Sequence, residues 1–224
     1  MRVLAVSVAL ILAASVFVEA QRRHPVSGRV LAPVMGVGGA SWLERPERED
    51  EEAPSRAIDL LNLKPGMVVA DIGAGSGYYA SRIARRVGPS GRVLATDIQP
   101  GMIALLERRI ASERLTNMTT VLGSPDDPKL PANSIDLAIM VDVYHELQDP
   151  QAFLQRLKPA FKPGGRLALL EFRKEDPKIP ILEVHKMSVA EVKQEMEAEG
   201  YAIDRVVGGL PWQHLILIKV NDAK

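Results

Sequence analysis

The stretch Val68–Gly77 constrains the fold of this chain most. An apolar strand runs directly into a turn with glycine at positions 73, 75 and 77, and a helix pattern follows. Glycine permits so tight a turn, and it lets a ligand approach the backbone because no Cβ stands in the way. The stretch therefore predicts the first strand, turn and helix of an α/β fold with a ligand at the turn. A helix-capping turn in another α/β protein is the alternative.

Strand and helix patterns alternate along the rest of the chain, as in a mostly parallel sheet with crossover helices. Apolar runs predict strands at residues 67–71, 92–97, 118–122, 135–141, 166–171, 202–207 and 214–220. Helical spacing and capping residues predict helices that begin near Pro54 and at Pro150, and others at 79–87, 101–113 and 189–199. A short turn with Gly208-Gly209 joins the last two strands, which predicts a hairpin at the sheet edge.

Composition excludes several classes of function. The 224 residues, long enough for one buried core, carry 28 basic and 28 acidic side chains and no cysteine. Because the net charge is zero, the chain lacks the long-range positive field of nucleic-acid binders, and we expect no nucleic-acid partner. The absence of cysteine excludes disulfides, thiolate metal sites and cysteine nucleophiles.

Residues 1–20 differ from everything that follows. A basic Arg2 precedes an almost wholly apolar run, Val3–Val18, and the small residue Ala20. This pattern predicts a secretory signal peptide and an exported or periplasmic protein. The alternative is a short membrane anchor that leaves the domain in the cytoplasm, although the run is shorter than the ~20 residues that span a bilayer. We expect contact with a membrane only through this leader.

Asp97 supports a nucleoside ligand. It ends the second predicted strand, 20 residues beyond Gly77. A carboxylate at about this distance from a glycine turn binds the ribose hydroxyls of adenosine-containing ligands. The alternative is that Asp97 caps the following helix. Its position at the carboxyl end of a strand favours the ribose role, because ligands of open α/β sheets bind at that edge.

Four ordered motifs resemble those of class I S-adenosylmethionine-dependent methyltransferases. They are the glycine turn Asp71–Gly77, the strand end Leu94–Ile98, the segment Gly123–Asp136 with Ile139–Leu147 after it, and Leu157–Leu167. The resemblance covers roughly residues 54 to 220. It implies a Rossmann-like, doubly wound, seven-stranded, mostly parallel sheet with an antiparallel C-terminal strand, in agreement with the predicted hairpin.

The resemblance also implies a cofactor, S-adenosylmethionine, and residues that hold it. Asp71 and the backbone of Gly73–Gly77, including Ala74 and Gly75, would face its methionine part, Asp97 the ribose and Ile98 the adenine ring. Ser124 stands where relatives often carry an Asp for the adenine amino group, and Asp126 is the alternative for that contact.

The residues that follow the fourth strand are the candidate catalytic ones: Asp142, Tyr144 and His145. Methyl transfer depends mainly on alignment and exclusion of water, and it needs a base only where the acceptor must lose a proton. We predict His145 as that base, because its natural pKa suits the role, and Tyr144 as a residue that orients the acceptor. Equally, His145 could brace the cofactor loop without touching a proton.

We predict no metal site. The pair His145-Glu146 lacks a second histidine four residues after the first, because position 149 is Asp. The other histidines, His24, His185 and His214, are scattered without ligand spacing, and surface or hydrogen-bonding roles are expected for His185 and His214.

Residues 21–53 show no clear period, and we predict an irregular segment ahead of a methyltransferase domain at 54–224. Trp42 and Arg45 lie where such enzymes fold a segment over the cofactor pocket, so the segment is a candidate lid. Ordinary packing of Trp42 is the alternative.

The expected reaction is methyl transfer from S-adenosylmethionine to a small-molecule acceptor. A non-catalytic S-adenosylmethionine or nucleoside binder and a protein methyltransferase are the alternatives. A nicotinamide-dependent oxidoreductase is disfavoured because the glycine spacing is Gly-x-Gly-x-Gly. Neither the acceptor nor the oligomeric state follows from the sequence.

Overall fold

The computed structural model describes residues 22–220. The predicted signal peptide, residues 1–20, lies outside the described residues. Between residues 22 and 220, none of the helices is both long enough and apolar enough to cross a membrane.

One sheet forms the centre of the described chain, in the order β3-β2-β1-β4-β5-β8-β7, with the two-residue strand β6 paired to β5. All neighbouring strands are parallel except β8, which is antiparallel to both β5 and β7. The Rossmann-like class and the antiparallel hairpin are confirmed. The strands are β1 Val68–Ile72, β2 Arg92–Asp97, β3 Met118–Leu122, β4 Ile135–Val141, β5 Phe161–Arg173, β6 Lys186–Met187, β7 Tyr201–Val207 and β8 Gln213–Val220.

Helices cover both faces of this sheet. Within residues 22–220 they are α1 Arg48–Glu52, α2 Pro54–Leu60, α3 Tyr78–Val87, α4 Pro100–Glu113, α5 Pro150–Leu157 and α6 Val189–Ala198. Capping residues fix the start of two helices. Asp149 accepts from the backbone N–H of Ala152 at the start of α5, and Ser188 and Glu191 form a capping box at the start of α6.

The sheet has a core on each face. Along β4, Leu137 and Ile139 pack in one apolar cluster, whereas Ala138 and Met140 pack in the other. Alternate residues of a strand point to opposite faces, so a strand buried on both faces is a continuous apolar run. The sheet order reverses between β1 and β4, and ligands of open α/β sheets bind outside the carboxyl ends of the strands at such a point.

The segment ahead of the domain differs from its prediction. It was predicted to be irregular, yet it contains α1, and Ala32 is fully buried. The side chain of Arg29 forms an ion pair with Glu195 of α6 at 2.8 Å, and the backbone N–H of Ala32 donates to the carbonyl of His145. These contacts join residues more than 100 positions apart, which local periodicity cannot reveal.

Candidate active site

The glycine turn forms a bare backbone surface after β1. Gly73 and Gly75 have φ of +66° and +55°, a region that L side chains rarely adopt. A Cβ at Gly73 would lie 2.6 Å from the side chain of Val143, and one at Gly75 would lie 2.7 Å from Leu43. Both positions therefore require glycine for conformation and for space.

Asp97 fixes this turn at the end of β2. One carboxylate oxygen, Oδ2, accepts from the backbone N–H of Gly75 at 3.1 Å, and Oδ1 accepts from that of Gln99 at 2.9 Å. Burial raises the pKa of the Asp97 carboxyl, and these hydrogen bonds partly counter that shift. The carboxylate keeps free lone pairs and lies in the wall of a cavity.

The cavity has a volume of about 510 Å³ and runs from the glycine turn across the end of β4. It brings together seven of the predicted site residues: Gly73, Gly75, Asp97, Ile98, Ser124, Asp142 and His145. Ile98 is 36% exposed on this wall, which is unusual for a large apolar side chain in the described chain.

Three predicted cofactor residues lie outside the cavity wall. Asp71 is buried beneath the turn, where desolvation raises the pKa of its carboxyl to about 7. Ala74 is held against β2 by its backbone N–H, which donates to the carbonyl of Thr96, and Gly77 is the N-cap of α3. These residues therefore support the turn from outside the cavity, through β1, the contact with β2 and the start of α3.

Two further predictions are corrected by the structure. Tyr144 is fully buried in the core, with the guanidinium of Arg29 5.4 Å from its ring centre, so its hydroxyl does not reach an acceptor. Asp126 does not line the cavity; its carboxylate accepts from the hydroxyl of Ser124 and pairs with Arg156. The contacts with Arg29 and Arg156 have no local sequence signal.

Asp142 lines the cavity in the left-handed region, with φ +54°. Its Oδ2 accepts from the side-chain amide of Gln213 at 2.7 Å, whereas Oδ1 has no hydrogen-bond partner among residues 22–220. Burial, and next the negative charge of Glu52, raise the pKa of this carboxyl well above its usual range.

His145 lies at the far end of the cavity and is held by a residue that the sequence analysis missed. Its Nδ1 lies 2.6 Å from Oε2 of Glu171, and both side chains are buried. Its Nε2 lies 3.1 Å from Nδ1 of His185, which also lines the cavity. The position of Glu171 near the end of the apolar strand β5 could have indicated from the sequence that it belongs to the site. The sequence around His185 contains no such indication.

The N-terminal segment lies across the cavity. Pro33, Val34, Met35, Trp42 and Leu43 all line it. The backbone N–H of Met35 donates to Glu146 at 3.3 Å, and the Met35 carbonyl accepts from the side chain of Gln99. The guanidinium of Arg45 lies 3.6 Å from the ring centre of Trp42. The segment thus forms part of the cavity wall, and its role as a lid stays a prediction.

The match to known families decides the assignment. The family model described as "Methyltransferase domain" matches residues 63–219, more than half of the chain. This chain belongs to the class I S-adenosylmethionine-dependent methyltransferase family.

Curated and solved methyltransferases resemble this chain. The Ubiquinone/menaquinone biosynthesis C-methyltransferase UbiE of Hydrogenovibrio crunogenus is 31% identical over 53% of this chain and 47% of its own length. The chain thus spans about half the length of the curated relatives that it matches. A solved S-adenosylmethionine-dependent methyltransferase from Aquifex aeolicus is 27% identical, with a TM-score of 0.79 over 84% of this chain and all of its own.

A third comparison concerns the fold alone. The O-methyltransferase NcsB1 from neocarzinostatin biosynthesis, solved with S-adenosylmethionine and 2-hydroxy-5-methyl naphthoic acid, is 20% identical. It has a TM-score of 0.59 over 69% of this chain and 49% of that chain.

The residues of this methyltransferase domain fit the cofactor of its family. The backbone of Gly73 and Gly75 is bare toward the cavity, and the carboxylate of Asp97 has lone pairs for ribose hydroxyls. The unpartnered Oδ1 of Asp142 offers an acceptor within the same wall. Ile98 supplies an exposed apolar side chain on the cavity wall, against which an adenine ring can pack.

Proposed function

We propose that this chain transfers the methyl group of S-adenosylmethionine to a small-molecule acceptor. The observation that supports the proposal is one continuous cavity, which joins the glycine turn and Asp97 to His145. Its volume of about 510 Å³ falls in the range of small-molecule sites. Because the N-terminal segment covers it, a small molecule fits this space better than a folded protein does.

The cofactor supplies an electrophilic methyl group on a positively charged sulfur, which leaves as a neutral thioether when the acceptor attacks. The residues of this chain therefore act mainly by alignment. Gly73 and Gly75 present backbone, Asp97 binds the ribose, and Ile98 packs on the adenine ring. Leu43 and Met35 cover the cavity and exclude water from the reaction.

His145 would meet the acceptor. The carboxylate of Glu171 lies 2.6 Å from Nδ1 and orients the ring so that Nε2 is directed toward His185 at the cavity wall. That nitrogen can take a proton or a ligand. The role of His145 as a general base stays a prediction from the sequence.

The acceptor end favours an apolar acceptor. Its walls include Phe153, Phe172, Ile181 and Leu182. One similar protein supports a ring-bearing molecule, because it is named as a ubiquinone/menaquinone biosynthesis C-methyltransferase. We extend this class of acceptor to the present chain.

Calorimetry with S-adenosylhomocysteine tests the cofactor half of the proposal. Asp97→Asn should weaken binding at least about tenfold, because a hydrogen bond to a charged group is worth about 1.5–3 kcal/mol. Asp59→Asn is the matched control and should bind within twofold of the unmodified chain, since Asp59 is exposed, pairs with Arg86 and does not line the cavity.

A methyl-transfer assay against a panel of hydroxylated aromatic compounds tests the acceptor half. Transfer to at least one compound supports the proposal. Tight binding of S-adenosylhomocysteine with no transfer to any small molecule or protein would favour the non-catalytic binder, and no binding at all would overturn the proposal.

A further inference from the structure

Three potential ligands meet at the acceptor end of the cavity: His145, Glu146 and His185. One ligand atom from each lies within 4.8 Å of the others. His145 and Glu146 are neighbours in the turn Tyr144–Glu146 that follows β4, whereas His185 comes from the turn Glu183–His185 that precedes β6. All three side chains line the cavity.

Glu171, which contacts the other ring nitrogen of His145, holds the imidazole in place as a metal ligand requires. Metal-binding histidines almost always donate their other ring N–H to a carboxylate, a carbonyl or water. Here Nδ1 lies 2.6 Å from the buried carboxylate of Glu171, whose other oxygen accepts from the backbone N–H of Tyr144 at 3.0 Å. The imidazole is therefore fixed in orientation with the lone pair of Nε2 directed toward His185.

The spacing of the two imidazoles suits a metal ion. Two nitrogens bound at 2.0–2.1 Å to a tetrahedral zinc ion lie about 3.3 Å apart. Nε2 of His145 and Nδ1 of His185 are 3.1 Å apart. A shift of a few tenths of an ångström in one ring would complete that arrangement.

The chemical types of the three ligands also suit a metal ion. Two imidazoles and one carboxylate bind zinc or ferrous iron at catalytic sites, where the remaining coordination positions stay open for a substrate. Glu146 is held toward this point by the backbone N–H of Met35, 3.3 Å from each of its carboxylate oxygens. The N-terminal segment thus helps to build the site.

We propose that His145, Glu146 and His185 bind a divalent transition-metal ion whose open positions take an oxygen atom of the methyl acceptor. The inference rests on the proposed function. It gives His145 the role of a ligand in place of a base. It also revises the prediction of no metal site, which considered only ligand spacing along the chain.

The chemistry balances without a further reactant. The acceptor hydroxyl binds the ion through its oxygen, and the ion lowers the pKa of that hydroxyl so that its proton passes to solvent as the acceptor enters, before methyl transfer. The oxygen then forms a bond to the methyl carbon. The carbon–sulfur bond breaks, and its electron pair stays on sulfur.

A hydrogen-bonded pair of neutral imidazoles is the competing explanation of the same distance, with Nδ1–H of His185 donating to Nε2 of His145. It needs no ion and leaves His145 available as a base. His185→Gln separates the two, because a glutamine amide can replace the donor but is a poor ligand for a transition metal.

The test uses the purified full chain, freed of metal with a chelator and titrated with Co²⁺ and with Zn²⁺. Elemental analysis should give one ion per chain, and Co²⁺ should produce visible absorption bands. His185→Gln should weaken binding about 100-fold or more, since even the loss of an outer partner costs 10- to 100-fold. Glu183→Gln, an exposed carboxylate in the same turn, should bind metal within twofold of the unmodified chain.

Calorimetry with S-adenosylhomocysteine on the same samples keeps the two proposals apart. If the unmodified chain binds S-adenosylhomocysteine but neither ion, or if His185→Gln binds Co²⁺ undiminished, the metal site is refuted and the proposed function stands. If the chain binds Co²⁺ but not S-adenosylhomocysteine, the metal site is supported and the proposed function fails.

Discussion

The two ends of the cavity are built in different ways. At the cofactor end, the backbone of Gly73 and Gly75 and the carboxylate of Asp97 come from two adjacent strand ends of the sheet. At the acceptor end, side chains from separate segments converge on His145: Glu171 from β5, His185 from a loop 40 residues away, and Met35 beside Glu146. A backbone surface depends on local conformation, whereas a cluster of side chains depends on the order of the strands.

The largest expected effect is confined to the cofactor end. Gly73→Ala should lower the affinity for S-adenosylhomocysteine about 100-fold by calorimetry. A left-handed conformation costs a non-glycine residue about 1–2 kcal/mol, and the new Cβ would collide with Val143 2.6 Å away.

Gly164→Ala is the matched control for this change. Gly164 has φ +78°, and a Cβ there would meet nothing within 4 Å, so it carries the conformational strain without the collision. Its variant should lose some thermal stability but bind S-adenosylhomocysteine within twofold. Equal affinities for the Gly73 and Gly164 variants would contradict our account of the turn.

A smaller effect should be confined to the acceptor end. Glu171→Gln should slow methyl transfer about 30-fold, because partners that orient a functional histidine are typically worth 10- to 100-fold. The affinity for S-adenosylhomocysteine should stay within twofold, since Glu171 contacts His145 and the Tyr144 backbone. Glu183→Gln is the control. A large loss of cofactor affinity in Glu171→Gln would show that the two ends are not independent.

A separate effect, on stability and not on binding, is a pH dependence from beneath the glycine turn. Burial raises the pKa of Asp71 to about 7 in the folded chain, above its ordinary value of 3.8. A carboxyl with a raised pKa stabilises the folded state below its unfolded pKa and loses that contribution as pH rises through the folded pKa. Asp71 should therefore reduce the free energy of unfolding between about pH 4 and pH 7, by at most about 1.4 kcal/mol per pH unit.

Thermal or urea unfolding of the chain and of Asp71→Asn across this range measures the effect. The stability of the unmodified chain relative to the variant should fall as pH rises. Asp59→Asn is the control, because Asp59 is exposed and pairs with Arg86. Parallel stability curves for the unmodified chain and Asp71→Asn would contradict the raised pKa.

Much of the fold could be predicted because its strands are distinctive. The apolar run of β4 and the bounds of β2 and β3 agree with the structure residue for residue. The strand β5 is predicted at 166–171 but spans Phe161–Arg173. Phe161 pairs with Ile135 of β4 on the far side of the turn-like residues 163–165, which lie at a shift in register. Pairing with a neighbouring strand can override local preference.

The candidate site could be predicted only in part. Gly73, Asp97, Ile98 and His145 lie in the cavity as expected, since each lies at the carboxyl end of a strand or within four residues of it. Tyr144 lies outside it, although it adjoins His145 in the chain. In such a turn, the partners of two neighbouring side chains decide which of them faces the cavity. Tyr144 packs against Arg29 in the core, whereas His145 pairs with Glu171 and lines the cavity.

The sequence by itself determined the alternation of strands and helices, the glycine turn and the carboxylate at the end of β2, because preferences of neighbouring residues for φ and ψ set these features. Only the tertiary structure decided that Glu171, His185 and residues 22–45 meet around His145. Contacts between residues so far apart in the chain arise from the order of the strands and the packing of the segments that cover them, and local sequence carries no record of either.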